Sequence, residues 1–258
     1  MTTSGGLLLY TQFASIYDRL MQDIDYPLWA RHYLALLARS GVEPRRACEC
    51  ACGTGLLSVE LARMGLSLTA SDLSVEMLEL AADRARKNGL MIPFIAQDMR
   101  NLALHRPVDA VICACDGVNY LHTDADLRAF FSAAHRALRP GGALAFDISS
   151  EHKLRDMCDQ REFFEDTDDL TYLWTNTWDA QTRSVCMDLC CFVRGHDGRY
   201  DRFDEHQRQR VHDIPSLAEI LSQQGFSDIR CYGDHTTQPP TATASRIHLV
   251  ATRQPASR

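Results

Sequence analysis

Two hydrophobic periods take turns along the first 150 residues. Apolar runs at 47–52, 66–70, 94–96, 108–115 and 143–148 are short and bounded by turn residues, which predicts strands buried on both faces. Between them apolar residues recur at helical spacing. They do so over 56–63, then at Val75, Met77, Leu78, Ala81, Ala82 and Ala85, then from Thr123-x-x-Asp126 to the stop at Arg139-Pro140-Gly141-Gly142. Strand and helix in alternation predict an α/β fold, with a parallel sheet covered by helices on both sides. Ahead of the first strand, Phe13, Ile16, Tyr17 and Leu20, then Trp29, Tyr33, Leu36 and Leu37, keep a helical period. Residues 7–39 therefore read as helical, with Pro27 in the first turn of the second helix.

Past residue 150 the period changes. Residues 151–169 are mixed and acidic, and read as a helix followed by a loop. Three stretches with period two follow, at 170–178, 184–193 and 200–211, separated by turn-rich joints. Tyr172, Trp174, Asn176 and Trp178 share one face of the first; Tyr200, Arg202, His206, Arg208 and Arg210 share one face of the third. This predicts an antiparallel sheet inserted after the fifth core strand, its polar faces a candidate lid over a substrate. A helix at 216–224 and strands at 227–232 and 246–252 complete the chain. The expected division is 1–150 for cap helices and core, 151–212 for the insertion and 213–258 for the end of the core sheet.

The chemistry concentrates at the first strand. It ends in Glu49-Cys50-Ala51-Cys52-Gly53-Thr54-Gly55 and runs into a helix. Two residues without Cβ allow a tight turn and leave room beside it, and the helix start points free N–H groups into that room. A flat polar ligand can lie there. The second strand ends at Asp72, about 20 residues after the first strand, where a carboxylate can accept from both ribose hydroxyls.

An acidic residue, then Gly53 and Gly55, resembles the first motif of the class I S-adenosylmethionine (SAM) dependent methyltransferases. Ala51 stands where that motif has its first glycine, the smallest change available. Asp72-Leu73-Ser74 with Met77-Leu78 resembles the second motif, and Leu138-Arg139-Pro140-Gly141-Gly142 before an apolar strand is characteristic of the family. Tyr200-x-Arg202-Phe203-x-Glu205-x-x-x-Gln209-Arg210 is similar to a loose pattern in an uncharacterised bacterial branch of small methyltransferases. The resemblance implies a doubly wound, seven-stranded, mostly parallel sheet with an antiparallel last strand, and SAM as cofactor. It implies that Asp98 meets the adenine amine, and that N-terminal helices carrying Tyr17 and Tyr26 fold over the cofactor. The implied cofactor site is Tyr17, Glu49, Ala51, Gly53, Thr54, Gly55, Asp72, Leu73, Met77, Gln97, Asp98, Met99 and Cys115. Residues 116–122 should border the transferred methyl. Candidates for taking up a proton are Tyr120, His206, His122 and Glu205, with Tyr120 and His206 preferred. Tyr26, Asn119, Trp174 and Arg208 are candidates for holding substrate.

Composition narrows the acceptor. The net charge is −7 and only Lys87 and Lys153 are lysines, so a phosphate-rich partner is disfavoured and a small molecule expected. Ten cysteines without Cys-x-x-Cys pairing read as small buried hydrophobes in a reducing compartment, with no metal site. No apolar run is long enough to cross a membrane, and Leu7-Leu8-Leu9 is too short for a signal peptide, so the cytoplasm is expected. A monomer or homodimer fits equally. The alternatives are a nicotinamide-dependent oxidoreductase, against which Ser58 replaces the third glycine; a SAM-binding protein without transferase activity; and an RNA or protein methyltransferase.

Overall fold

The computed structural model describes residues 13–159, 161–195 and 197–254; the helical reading of residues 7–12 lies outside them. The elements are α1 (Ala14–Leu20), α2 (Tyr26–Arg39), β1 (Arg46–Cys50), α3 (Leu56–Arg63), β2 (Ser67–Asp72), α4 (Val75–Lys87), β3 (Phe94–Ala96), β4 (Val108–Cys113), α5 (Asp124–Ala137), β5 (Leu138–Ser149), β6 (Glu162–Asp166), β7 (Leu170–Asp179), β8 (Ser184–Arg194), β9 (Tyr200–Arg210), α6 (Ile214–Gln223), β10 (Phe226–Gly233) and β11 (Arg246–Arg253). Seven strands form one sheet in the order β10-β11-β5-β4-β1-β2-β3. Its pairs are parallel except those made by β11, the last strand of the chain. The chain winds outward from β1 to β3, then crosses back to β4. A crevice therefore opens at the C-terminal ends of β1 and β4, where ligands of such sheets bind.

Alternation along the strands sorts the core into two layers. Cys48, Cys50, Val111, Cys113, Leu144 and Phe146 face Phe130 and Phe131 of α5 and Leu217 of α6. Ala47, Ala110, Ile112, Ala143 and Ala145 face Trp29, Tyr33, Leu36, Leu57 and Leu61 of α2 and α3. Small side chains on the second face let those helices approach the sheet closely. All ten cysteines are free thiols, and Cys48, Cys50, Cys52, Cys113 and Cys191 are buried as small hydrophobes. Of the positions expected to face inward on α4, Met77, Leu78, Ala81 and Ala85 do; Val75, 53% exposed, and Ala82 face solvent. Val75 opens the helix, where the stripe has yet to meet the sheet.

The inserted sheet is antiparallel, in the order β6-β7-β8-β9. It holds one strand more than the period-two pattern showed. Residues 151–169 form a π turn at His152–Met157 and then β6, which pairs with β7 where a helix and loop were expected. The register places Trp174, Leu189 and Glu205 in one row across the sheet, and Asn176, Met187 and Gln207 in the next. Val185, Met187, Leu189 and Cys191 on this face pack against Phe13, Ala14 and Ile16 of α1. Helix α1 thus sits between the inserted sheet and the crevice. Arg19 ties it to the β6–β7 turn, donating to Asp169 at 2.9 Å and to Thr167 at 3.1 Å.

Candidate functional site

The chain leaves β1 through Ala51, at a left-handed φ of 52°, and turns at Gly53 (φ 54°) and Gly55 (φ 75°). A Cβ on Gly55 would lie 2.8 Å from that of Ala81, so α4 passes directly beneath the turn. Ala51 holds a conformation that costs a residue with a Cβ about 1 kcal/mol, the physical reason the motif has glycine there. Ala51→Gly should raise stability by about 1 kcal/mol, read as a higher urea midpoint at unchanged slope. A lower midpoint would show that the Ala51 methyl packs for more than its backbone costs.

Two carboxylates flank the turn. Glu49 is 2% exposed and takes a hydrogen bond from the Ser58 hydroxyl. Burial pushes its carboxyl up to about 8; the Ser58 bond opposes this, and Asp72 nearby adds to it. Asp72 accepts from the Gly53 N–H at 2.8 Å and the Ser74 N–H at 3.0 Å, which locks the tip of β2 to the glycine turn. Burial raises its pKa while those backbone bonds hold it down. Above the turn, the Tyr17 ring comes within 3.9 Å of where a Gly53 Cβ would be. The Thr54 hydroxyl donates to Asp18 at 2.6 Å, and Arg84 binds both Asp18 and the Thr54 carbonyl. The sequence offered Tyr17 as the cover; the clip itself is Asp18 and Arg84.

On the other side of Asp72, Leu73 is 57% exposed, an apolar side chain left at the mouth of the crevice. Gln97 accepts from the Ala103 N–H at 3.2 Å, while its Nε2 is buried without a partner. Gly117 packs so tightly that a Cβ would meet Cys113 Sγ at 2.8 Å and Ala51 Cβ at 3.2 Å, with Met99 Cε at 4.0 Å. The tips of β1, β3 and β4 thus build one narrow slot. Two carboxylates, an apolar lip, a donor without a partner and a wall that only glycine fits suit a purine nucleoside with a cationic tail. When bound, SAM supplies a methyl group on a sulfonium, which departs without further activation.

Past β4, Cys115 (φ 55°) and Asp116 (φ 56°) are both left-handed, a strained pair of the kind found at functional sites. Asp147 and Arg246 hold them. Asp147 accepts from the Asp116 N–H at 2.9 Å and the Tyr33 hydroxyl at 2.5 Å, and pairs with Arg246. Asp116 in turn accepts from the Ser149 hydroxyl at 2.8 Å, with Arg246 at 3.5 Å and Lys153 at 3.8 Å. Burial pushes the Tyr17 phenol up; its ring lies over the glycine turn, Tyr26 packs on the cluster that Cys115 also joins, and Tyr120 ends the turn that follows β4. Tyr120 donates to Gln207 Oε1 at 2.7 Å, bringing the inserted sheet to the site.

Several expected roles change. His206 and Arg208 lie on the opposite face of β9 from Gln207; His206 is largely exposed and pairs with Asp188 at 2.6 Å. Both of β9's faces are polar, so alternation alone did not say which turns inward. The inward set is Phe203, Glu205, Gln207 and Gln209. Asn119 is fully buried and commits its amide to structure. It donates to the carbonyls of Ser149 at 3.1 Å and Arg210 at 2.8 Å and accepts from the Ser149 N–H at 2.9 Å, so it clips β5 to β9. Asp98 caps the turn at Met99–Asn101 and pairs with Arg100, which also binds Asp126 at 2.6 Å. Met77 packs in the cluster under α1. Trp174 is on the inward face, its indole N–H on Asn176 at 2.8 Å. Two cavities of about 210 and 200 Å³ flank the link at Val211–Asp213 and are not lined by Glu49, Asp72 or Tyr17.

A family model described as a methyltransferase domain matches residues 47–142. YqeM of Bacillus subtilis (strain 168), named for an inferred methyltransferase activity, is 34% identical over 95% of this chain and 97% of its own. A SAM-dependent methyltransferase from Clostridium acetobutylicum ATCC 824 superposes with a TM-score of 0.84 at 29% identity, covering 95% of this chain and 99% of that one. The sugar N-methyltransferase KedS8 from Streptoalloteichus sp ATCC 53650 shares the fold, with a TM-score of 0.77 at 18% identity over 98% and 97% of the two chains. Among the described residues no helix is long and apolar enough to cross a membrane. Crevice, motifs and relatives converge, and the chain belongs to the SAM-dependent methyltransferases.

Proposed function

We propose that the acceptor is the amino group of a small molecule. The observation that carries this is the placement of three phenols along the crevice: Tyr17 over the glycine turn, Tyr26 packed on the cluster that Cys115 also joins, and Tyr120 at the end of the turn that follows β4. Phenol faces favour cationic character, in the dispersing sulfonium charge and in the ammonium product alike. The nitrogen lone pair attacks the methyl carbon as the carbon–sulfur bond breaks, and the sulfur keeps that electron pair. The proton left on nitrogen passes to solvent. What the chain supplies is alignment, which can be worth about 7–11 kcal/mol. Glu49, Asp72, Gln97 and Leu73 hold the cofactor; Asp147 and Arg246 fix the strained tip that sets the acceptor.

A small acceptor suits a crevice covered by α1, which is clipped to the glycine turn through Asp18 and to the inserted sheet through Arg19. The same fold in a sugar N-methyltransferase supports an amine. Residues 151–212 act as the acceptor-side cover of a core made of 1–150 and 213–258, as a monomer or homodimer, and ten free thiols suit the cytoplasm. The test is to incubate the protein with methyl-labelled SAM and a cell extract, then separate small molecules, RNA and protein. Once residual SAM is removed, label beyond that of the same extract without the protein should appear in small molecules retained by a cation exchanger at acid pH, where amines and amino acids alike are cations. Label in RNA or protein would overturn the reading.

A further inference from the structure

The inserted sheet holds a donor that nothing among the described residues uses. Tyr120 donates its hydroxyl hydrogen to Gln207 Oε1 at 2.7 Å, and Nε2 lies on the other branch of the amide. That Nε2 is buried and has no partner among the described residues. Two N–H donors are therefore held dry, a cost that folding alone would have removed by selecting an apolar residue. Gln207 stands in the row with Met187 and Asn176, on the face turned toward α1 and the crevice. Asn176 in the same row is satisfied, by Trp174 at 2.8 Å and by the Arg161 carbonyl at 3.4 Å, so of the two amides in this row Gln207 is the one left short. Through Tyr120, which ends the turn past β4, it stands at the C-terminal edge of the sheet where the crevice opens.

We infer that Gln207 is a specificity-determining residue that donates to an oxygen of the methyl acceptor, so that the substrate is a small amine bearing a hydroxyl or carboxylate oxygen near its nitrogen. This rests on the amine reading above. An acceptor oxygen completes the amide, and an amine without one leaves it orphaned. A site built to bond an oxygen discriminates strongly against the analogue that lacks it.

The test has two arms. The first needs no substrate. In Gln207→Met/Tyr120→Phe both partners of the buried bond become apolar, which is close to neutral for a bond made only for ligand. Thermal unfolding of the double variant with the demethylated cofactor, S-adenosylhomocysteine (SAH), should match or exceed the wild type. A clear fall would assign Gln207 to structure and overturn the inference. The second arm measures SAH formation with D-glucosamine, ethanolamine, glycine and cyclohexylamine. Wild type should favour at least one oxygen-bearing amine over cyclohexylamine by tenfold or more in kcat/KM, and Gln207→Met should erase the preference. Preference for glycine or for the amino alcohols tells carboxylate from hydroxyl. A preference that survives in Gln207→Met overturns the inference. If no amine reacts, the amine reading falls with the substrate class built on it, and the first arm alone decides whether Gln207 serves a ligand.

Discussion

Asp72→Ala should weaken SAH binding at least 100-fold while the protein still folds. The carboxylate does two things at once. It holds the Gly53 N–H and the Ser74 N–H, and so fixes the shape of the turn on which a nucleoside lies. Each of its oxygens also keeps a lone pair for a ribose hydroxyl. Hydrogen bonds to a charged acceptor contribute about 1.5–3 kcal/mol each, so losing two exceeds the 2.7 kcal/mol of a 100-fold change. Asp72→Asn separates the two roles. Its one carbonyl oxygen can serve Gly53 and one hydroxyl, but its NH2 group only donates, so it opposes the Ser74 N–H and cannot accept from the second hydroxyl. It should bind SAH between wild type and Asp72→Ala in calorimetry. Wild-type affinity in Asp72→Ala, with native circular dichroism, would remove Asp72 from the site.

Glu49 and the two glycines were legible because local chemistry dictates them. A strand end, a left-handed turn and a following helix occupy ten adjacent residues, and Asp72 is read the same way, as the acidic end of the next strand. The sheet was legible for the same reason, since buried parallel strands leave apolar runs such as 108–115. The far side of the site was not. Asp18 meets Thr54 across 36 positions, Arg246 meets Asp116 across 130, and Tyr120 meets Gln207 across 87. No periodicity encodes such distances. β9 shows the limit best: Tyr-Asp-Arg-Phe-Asp-Glu-His-Gln-Arg-Gln-Arg is polar at almost every step, so hydrophobic contrast, the signal that orients a strand, is missing. The row with Met187 turns Gln207 inward and His206 outward. β6 was hidden for a related reason, as Phe163 and Phe164 are adjacent and partly exposed, and its pairing with β7 is what makes it a strand.

Glu49 should make cofactor binding depend on pH in a way that few exposed carboxylates would. In the protein without ligand its carboxyl titrates at about 8, raised from 4.5 chiefly by burial, so at neutral pH it is about nine-tenths protonated. An amino acid tail with an ammonium group stabilises the carboxylate and not the acid. The sign follows: affinity for SAH rises with pH and levels off above about pH 8, and binding at about pH 7 releases close to one proton. From about pH 6 to about pH 7.5 the association constant should climb roughly 30-fold, one decade per pH unit. Calorimetry in two buffers of different ionisation enthalpy counts the proton directly. Glu49→Gln keeps the Ser58 bond and the shape but cannot ionise, so its affinity should be flat over this range and fall at least 100-fold short of wild type at about pH 8.5. A return of Glu49 from 8 to its ordinary 4.5 on binding would correspond to about 10³-fold or more, on the order of 4–5 kcal/mol, which sets the ceiling for the loss. A pH-independent wild type that releases no proton would mean that Glu49 stays neutral beneath the ligand, holding Ser58 and the turn without meeting the ammonium.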